Sequence, residues 1–394
     1  MDIFAIRDDF PILKNIIYMD NAATSLTPEP VLEAILEYYR SYKANVGRGV
    51  YSLAQVSDQK YREAHRKVAH FLGVTKGTVI FTKNTTESLN MVAQGLKWSR
   101  GDKVVTTLLE HHSNLLPWMR LKSLGIDLKI LKPDRTGKID LSEFEKAIDK
   151  KTRLVSVTHI SNTIGNVFPV EKISTICREN DALFLVDGAQ SVPHMYVNMK
   201  ELDCDFLCFS GHKMLGPTGT GVLWIKNDEL IEPLMVGGGM VDDVSLDGYR
   251  RKPGYEGFEA GTPHIAGGIG LGAAVDYLER IGKDEIRTHE LKLISKLLEG
   301  LLDIKGIEVY GSHSIKDRSC TVSFNVNGLV PHEVAQMLDQ SSNILVRSGH
   351  HCCIPLMNYF GLKYGTVRAS LYFYNTEAEI ENFLITLEKI VKVA

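Results

Sequence analysis

The chain has 394 residues, 45 Lys and Arg against 48 Asp and Glu, and 44% apolar residues. That composition supports a large buried core and excludes disordered and collagen-like classes. The net charge of −3 gives no basic field for a polyphosphate backbone, so nucleic acid is not an expected partner.

The longest run free of charged and polar side chains, Ile265 to Val275, has eleven residues. A membrane-spanning helix needs roughly 20. Met1 to Asp9 carry neither the basic nor the apolar stretch of an export signal, so a cytoplasmic location is expected. Six cysteines without a C-x-x-C pair argue for reduced thiols. Cys177, Cys204, Cys208 and Cys320 read as buried apolar residues, while Cys352 and Cys353 stand apart.

In chain order, a helix is predicted from Thr27-Pro28, where a capping hydroxyl precedes Pro at the first helical position and Val31, Leu32, Ile35, Leu36 and Tyr39 follow at helical spacing. A second runs from about Asp58 to Leu72 and stops at Gly73. Short β-rich runs then alternate with helical stretches: Val79-Phe81, Val104-Thr107, Leu154-Val157, Leu183-Val186, Phe206-Phe209 and Gly221-Ile225. The alternation predicts an α/β fold with a mostly parallel sheet.

Polar clusters follow these strands: Thr85-Thr86, Glu110 to His112, His159 to Asn162, Asp187 to Gln190 and Ser210 to Lys213. Ligands of an open α/β sheet bind beyond the carboxyl ends of its strands, so the five clusters are expected to meet at one site. From about Ile281 the pattern changes to a long amphipathic helix, an alternating strand (Cys320, Val322, Phe324, Val326), a helix after Pro331 and a closing helix with Ile380, Phe383, Leu384, Leu387 and Ile390. The expected division is an N-terminal segment 1–20, a large domain 21–265 and a smaller α+β domain 266–394, with a bridging helix near 265–300.

A lysine at a strand end, Lys213 after Ser210-Gly211-His212, lies 26 residues beyond Asp187 at the end of another strand. Alone, each would read as a solvated lysine or a turn aspartate. Together with Gln190, His212 and Thr86 they point to pyridoxal 5′-phosphate: the amine forms a Schiff base with the cofactor aldehyde, and the acid keeps the pyridine nitrogen protonated. Thr86 opens a helix with the apolar face Leu89, Val92, Ala93 and Leu96, and a helix start suits a phosphate dianion. Gly267 to Gly272 lacks both the spacing and the preceding strand of a dinucleotide loop. His350-His351-Cys352-Cys353 is no metal site, because four consecutive side chains diverge and cannot wrap one tetrahedral ion.

Here the chain resembles the class V aminotransferase family of fold-type I pyridoxal phosphate enzymes, and within it the Suf-type cysteine desulfurases. The likeness runs through Tyr18 to Thr24, Thr85 to Glu87, Glu110 to Asn114, Val186 to Gln190, Phe209 to Lys213, Phe258 to Pro263, Arg347 to Cys352 and Arg368 to Leu371. It implies a mostly parallel seven-stranded sheet with a smaller α+β C-terminal domain.

It also implies that Lys213 binds the cofactor aldehyde, that Asp187 pairs with the pyridinium nitrogen and that Gln190 bonds the phenolic oxygen. His111 would stack on the ring and relay protons, with His112 in a supporting place. Thr86, Ser210 and His212 would hold the phosphate, with Thr262 reaching the phosphate of a neighbouring subunit in a homodimer. Asn162 would support cofactor and substrate, Arg368 would clamp the substrate carboxylate, and Arg48 and Arg347 would line the entrance. The likeness departs at Gly47, where relatives often have His.

Cys352 would be the nucleophile, a thiol on an exposed loop whose two neighbouring histidines favour its thiolate. Cys353 is either a bystander or a second thiol able to form a disulfide or accept sulfur. The implied reaction removes sulfur from L-cysteine, leaving alanine and a persulfide on Cys352. The sulfur goes to an acceptor protein of the SufE or SufU kind, or to a cluster scaffold, for iron-sulfur cluster assembly. Selenocysteine lyase and class V aminotransferase activity are the alternatives.

Overall fold

The computed structural model describes all 394 residues. Seven strands form the main sheet: β1 (Thr78–Thr82), β2 (Lys103–Thr107), β3 (Asp127–Leu131), β4 (Thr152–Thr158), β5 (Leu183–Asp187), β6 (Phe206–Ser210) and β7 (Gly221–Ile225). Their spatial order is β1-β7-β6-β5-β4-β2-β3. Only β7 runs antiparallel to its neighbours, so the fold is α/β with a mostly parallel sheet. The central strands are apolar on both faces: Leu154, Val155, Val157, Phe184, Leu185, Val186 and Phe206 to Phe209 are all buried, as a sheet covered by helices on both sides requires.

A smaller antiparallel sheet follows, in the order Ile307–Tyr310, Thr321–Val326, Thr366–Ser370, Arg347–Gly349. Leu293, Leu297, Val322, Phe324, Val367, Phe383 and Leu387 form its core. The segment from Ile17 to Asp20 joins this smaller unit, while Phe10 and Leu13 before it pack into the larger core. Ile17–Tyr18 pairs with Ile344–Leu345, and Asp20 bridges to Ser370.

Several predicted elements shift. The first helix is Glu29–Ser41 with Pro28 at its cap position and no side-chain cap, so Thr27 does not cap it. The second is Ser52–Phe71, beginning six residues before the predicted Asp58, because Ala54 and Ser57 continue the buried stripe with residues too small and polar to register as apolar. The bridging helix is two helices, Ile265–Ile281 and Lys283–Asp303, parted at Gly282 with φ of 94°. Strand β3 was not predicted. It lies at the sheet edge, and its sequence DLKIL buries only Leu131.

The glycines of Ile265–Ile281 serve packing. A Cβ on Gly268 would lie 2.5 Å from the Tyr61 ring, and one on Gly270 would lie 2.8 Å from Ile35. Their absence lets this helix seat against both Glu29–Ser41 and Ser52–Phe71.

Candidate active site

Strands β1, β2, β4, β5 and β6 point their carboxyl ends the same way, and the segments after them enclose a cavity of about 190 Å³. Its wall contains Thr86, His111, Asn162, Asp187, Gln190, Ser210, His212, Lys213, Arg347 and Arg368. The five strand-end clusters therefore meet as expected. Arg48 and Thr262 do not join them. Both are exposed and share a second concavity with Asn45, whose Nδ2 donates to Thr262 Oγ1 at 3.3 Å.

Lys213 is half-buried, and loss of solvent pushes its amine down to about 8, against an opposing pull from Asp187. About a tenth of the amine is then neutral, hence nucleophilic, at pH 7. Its turn is fixed from outside: the His212 carbonyl accepts from Ser25 N, Ser25 Oγ and Thr24 Oγ1 at 2.9, 3.1 and 3.0 Å. Asp187 is buried, which raises its carboxyl, and Oδ1 accepts from Ala189 N at 2.9 Å. Gln190 Nε2 donates to Ala22 O at 2.7 Å.

The helix Thr85–Gly95 begins at the cavity, capped by Asn84, whose side chain accepts from Glu87 N. Ser210 Oγ is tied to that helix start, accepting from Thr85 N at 2.9 Å and lying 2.7 Å from Thr85 Oγ1. Loose N–H groups and hydroxyls at a helix start form an anion site. The amine, the buried acid and the anion site together fit pyridoxal 5′-phosphate.

His111 Nδ1 accepts from Ser113 N at 3.1 Å, and Ser113 Oγ reaches Thr86 Oγ1 at 2.7 Å. Burial, then the nearby Lys213, depress this imidazole to about 3. The ring is thus neutral with Nε2 as its donor, so any proton it relays does not come from an imidazolium. Burial likewise holds His212 down to about 4.

Arg368 is buried, with Nη2 2.8 Å from Asp20 Oδ1 and Nη1 donating to Asn162 O at 2.8 Å. Its Nε has no partner. Asn162 Nδ2 in turn donates to His351 O at 2.9 Å, so the arginine and the cysteine segment share one support.

Cys352 stands beside the cavity, half-buried rather than exposed, and Arg347 Nη2 lies 3.7 Å from its Sγ. The two histidines before it do not hydrogen-bond the thiol. His350 Nε2 turns to Lys363 O and His351 Nε2 to Thr366, so the expectation that they favour its thiolate is corrected. His351 and Cys352 both adopt left-handed backbone, φ of 51° and 57°, at about 1–2 kcal/mol per residue. Cys353 is fully buried, its thiol donates to Glu110 O at 3.3 Å, and burial pushes it up to about 12. A bystander fits this place; an accessible second thiol does not.

Sequence reasoning gave no role to Glu110 or Asp20. Glu110 is buried beneath His111, accepting from Thr107 Oγ1 and Asn114 Nδ2 at 2.7 and 2.5 Å. Burial pushes its carboxyl up to about 8. Its sequence signals are its place three residues after β2 and at the start of the Glu110 to Asn114 motif. Asp20 orders Arg368 from the N-terminal segment, a long-range pairing that no local pattern reveals.

An α/β sheet that gathers a depressed lysine, a buried acid and an anion-binding helix start at one cavity defines a lysine-centred α/β enzyme. The chain belongs to the class V aminotransferase family, whose model, Aminotransferase class-V, matches residues 17–383. A probable cysteine desulfurase of Pyrococcus abyssi is 49% identical over 393 residues, covering 98% of this chain and 97% of the relative. The apo structure of cysteine desulfurase from Thermococcus onnurineus NA1 superposes with a TM-score of 0.96 at 49% identity, covering 99% and 98%. A mutant of C-DES with glycine covalently linked to its PLP cofactor superposes with a TM-score of 0.84 at 26% identity, covering 97% and 98%.

Proposed function

We propose that this chain is a pyridoxal 5′-phosphate-dependent cysteine desulfurase of the Suf type. The observation that carries the reading is Cys352 beside the Lys213 cavity, with Arg347 reaching both the cavity wall and the Cys352 sulfur. The near full-length likeness to cysteine desulfurases supports it.

Bound through Lys213, the cofactor supplies an electron-withdrawing ring that loosens the bonds at the Cα of an amino acid. Asp187 would face the ring nitrogen, Gln190 its phenolic oxygen, and Thr86, Ser210 and His212 would hold the phosphate, with the neutral His111 imidazole as a further donor to the ring. Arg368, with donors left over from Asp20 and Asn162, takes the substrate carboxylate.

The Lys213 amine, freed by bound L-cysteine, would remove the Cα proton. Cys352 Sγ attacks the sulfur of L-cysteine; a sulfur–sulfur bond forms while the carbon–sulfur bond breaks with its electron pair left on the carbon side. Protonation there and return of a proton to Cα give alanine, and Cys352 keeps the persulfide. Its segment runs only from His350 to Cys353 between Arg347–Gly349 and the helix from Ile354. Such a short link favours an acceptor protein that comes to the site, and iron-sulfur cluster assembly as the destination.

The large unit 21–265 brings Lys213, and the smaller unit 266–394 brings Cys352 and Arg368. Thr262 and Arg48 lie outside the cavity, Arg48 shortly before the exposed Val50, Tyr51 and Leu53, and they support a homodimer in which they serve the neighbouring subunit. A reaction that consumes a reduced Cys352 suits the cytoplasm. The test is peptide mass spectrometry after one turnover with L-cysteine: a gain of one sulfur atom on the Cys352 peptide, absent from Cys352→Ser, is expected. Unchanged Cys352 beside accumulating alanine would overturn the reading.

A further inference from the structure

The Cys352 segment is seated on the segment after β2, and His112 grips it at two points. His112 N donates to Cys352 O at 2.8 Å, and His112 Nε2 accepts from Ile354 N at 3.1 Å. Ile354 opens a helix, so its N–H has no partner inside that helix. One residue thus brackets Cys352 and Cys353 from both sides, across a backbone whose left-handed angles at His351 and Cys352 need outside support.

The grip is itself well founded. Cys353 Sγ donates to Glu110 O, Glu110 is fixed by Thr107 and Asn114, and Asn114 Oδ1 accepts from Trp118 Nε1 and Ser156 Oγ. Nε2 can accept only from a ring that leaves it unprotonated. Burial and the neighbouring His350 both disfavour the charged His112 ring.

We propose that His112 is a positioning residue for Cys352: its Nε2 holds Ile354 N, and its backbone holds Cys352 O, so the thiol keeps its place beside the cavity. The proposal rests on the reading of Cys352 as the sulfur-accepting nucleophile. It separates the roles of the two adjacent histidines, since His111 faces the cavity and His112 faces the cysteine segment.

The test compares His112→Leu, which keeps bulk and loses the acceptor, with His112→Gln, whose amide oxygen can reach the place of Nε2. Three quantities are read on the cofactor-loaded protein: amide hydrogen exchange at Ile354, single-turnover alanine formation from L-cysteine, and the cofactor absorbance. In His112→Leu, exchange at Ile354 is expected to quicken and alanine formation to fall, each on the order of tenfold, with unchanged absorbance. His112→Gln restores both to within about threefold.

Alanine formation at the wild-type rate in His112→Leu would overturn the proposal, as would failure of His112→Gln to restore it. Should His112→Leu fail to fold, His112→Asn, too short to reach Ile354, takes its place. A wild type that makes no alanine would sink the desulfurase reading instead, and the exchange contrast would then still decide whether His112 holds the segment.

Discussion

Arg347 Nη2 lies 3.7 Å from Cys352 Sγ, and the same arginine lines the wall of the Lys213 cavity. A guanidinium there stabilises negative charge on the attacking sulfur. Arg347→Ala is expected to slow alkylation of Cys352 by iodoacetamide at pH 7 about three- to tenfold, the contact being partly solvent-screened. Arg347→Lys should recover part of the loss. Equal rates in all three proteins would deny the contact a role.

The Lys213 amine, pushed down to about 8 by burial, sets the pH at which the protein takes up its cofactor. Imine formation needs the neutral amine, which is scarce below that value and dominant above it. The rate of pyridoxal phosphate uptake by cofactor-free protein should therefore rise with pH and level off with a midpoint near 8. A midpoint near the ordinary lysine value would contradict the burial argument.

Glu110, pushed up to about 8, works in the opposite sense for stability. Between the ordinary carboxylate range and about 8 the folded chain holds a proton that the unfolded chain releases, so the stability from this group falls as pH rises through that window. Glu110→Gln removes the titration. Its melting temperature relative to wild type should therefore improve by about 2 °C between pH 6 and pH 9, measured by calorimetry. A pH-independent difference would show that Glu110 is ionised throughout.

Cys353 is buried with its thiol turned to Glu110 O and away from solvent. Cys353→Ala should lower stability by about 1 kcal/mol, through a small cavity and a weak lost hydrogen bond, and keep most of the sulfide production. Loss of activity comparable to Cys352→Ser would make Cys353 a carrier of sulfur.

The central strands and the cavity were legible in the sequence for a local reason: each functional cluster lies at or within three residues of the end of a short β-rich strand, and a parallel sheet aligns those ends. Asp187 and Lys213 could be placed together on that ground alone. What escaped was set by other forces. Edge strand Asp127–Leu131 is exposed along one side and lacks an apolar run. The start of Ser52–Phe71 is hidden because Ala54 and Ser57 pack as small residues. The directions of His350 and His351 depend on left-handed backbone at His351 and Cys352, which no residue type there announces. The Asp20 contact to Arg368 joins residues 348 positions apart. Resemblance places Arg48 at the cavity entrance, yet within one chain it lies apart from the cavity, beside Thr262, whose expected role is at a neighbouring subunit.

The most direct test of the account is the joint release of alanine and sulfide from L-cysteine, by cofactor-loaded protein in the presence of a thiol reductant, for wild type and Cys352→Ser. The account predicts equal amounts of the two products from wild type and loss of sulfide release in Cys352→Ser, with the cofactor absorbance retained. Undiminished sulfide release by Cys352→Ser would contradict it.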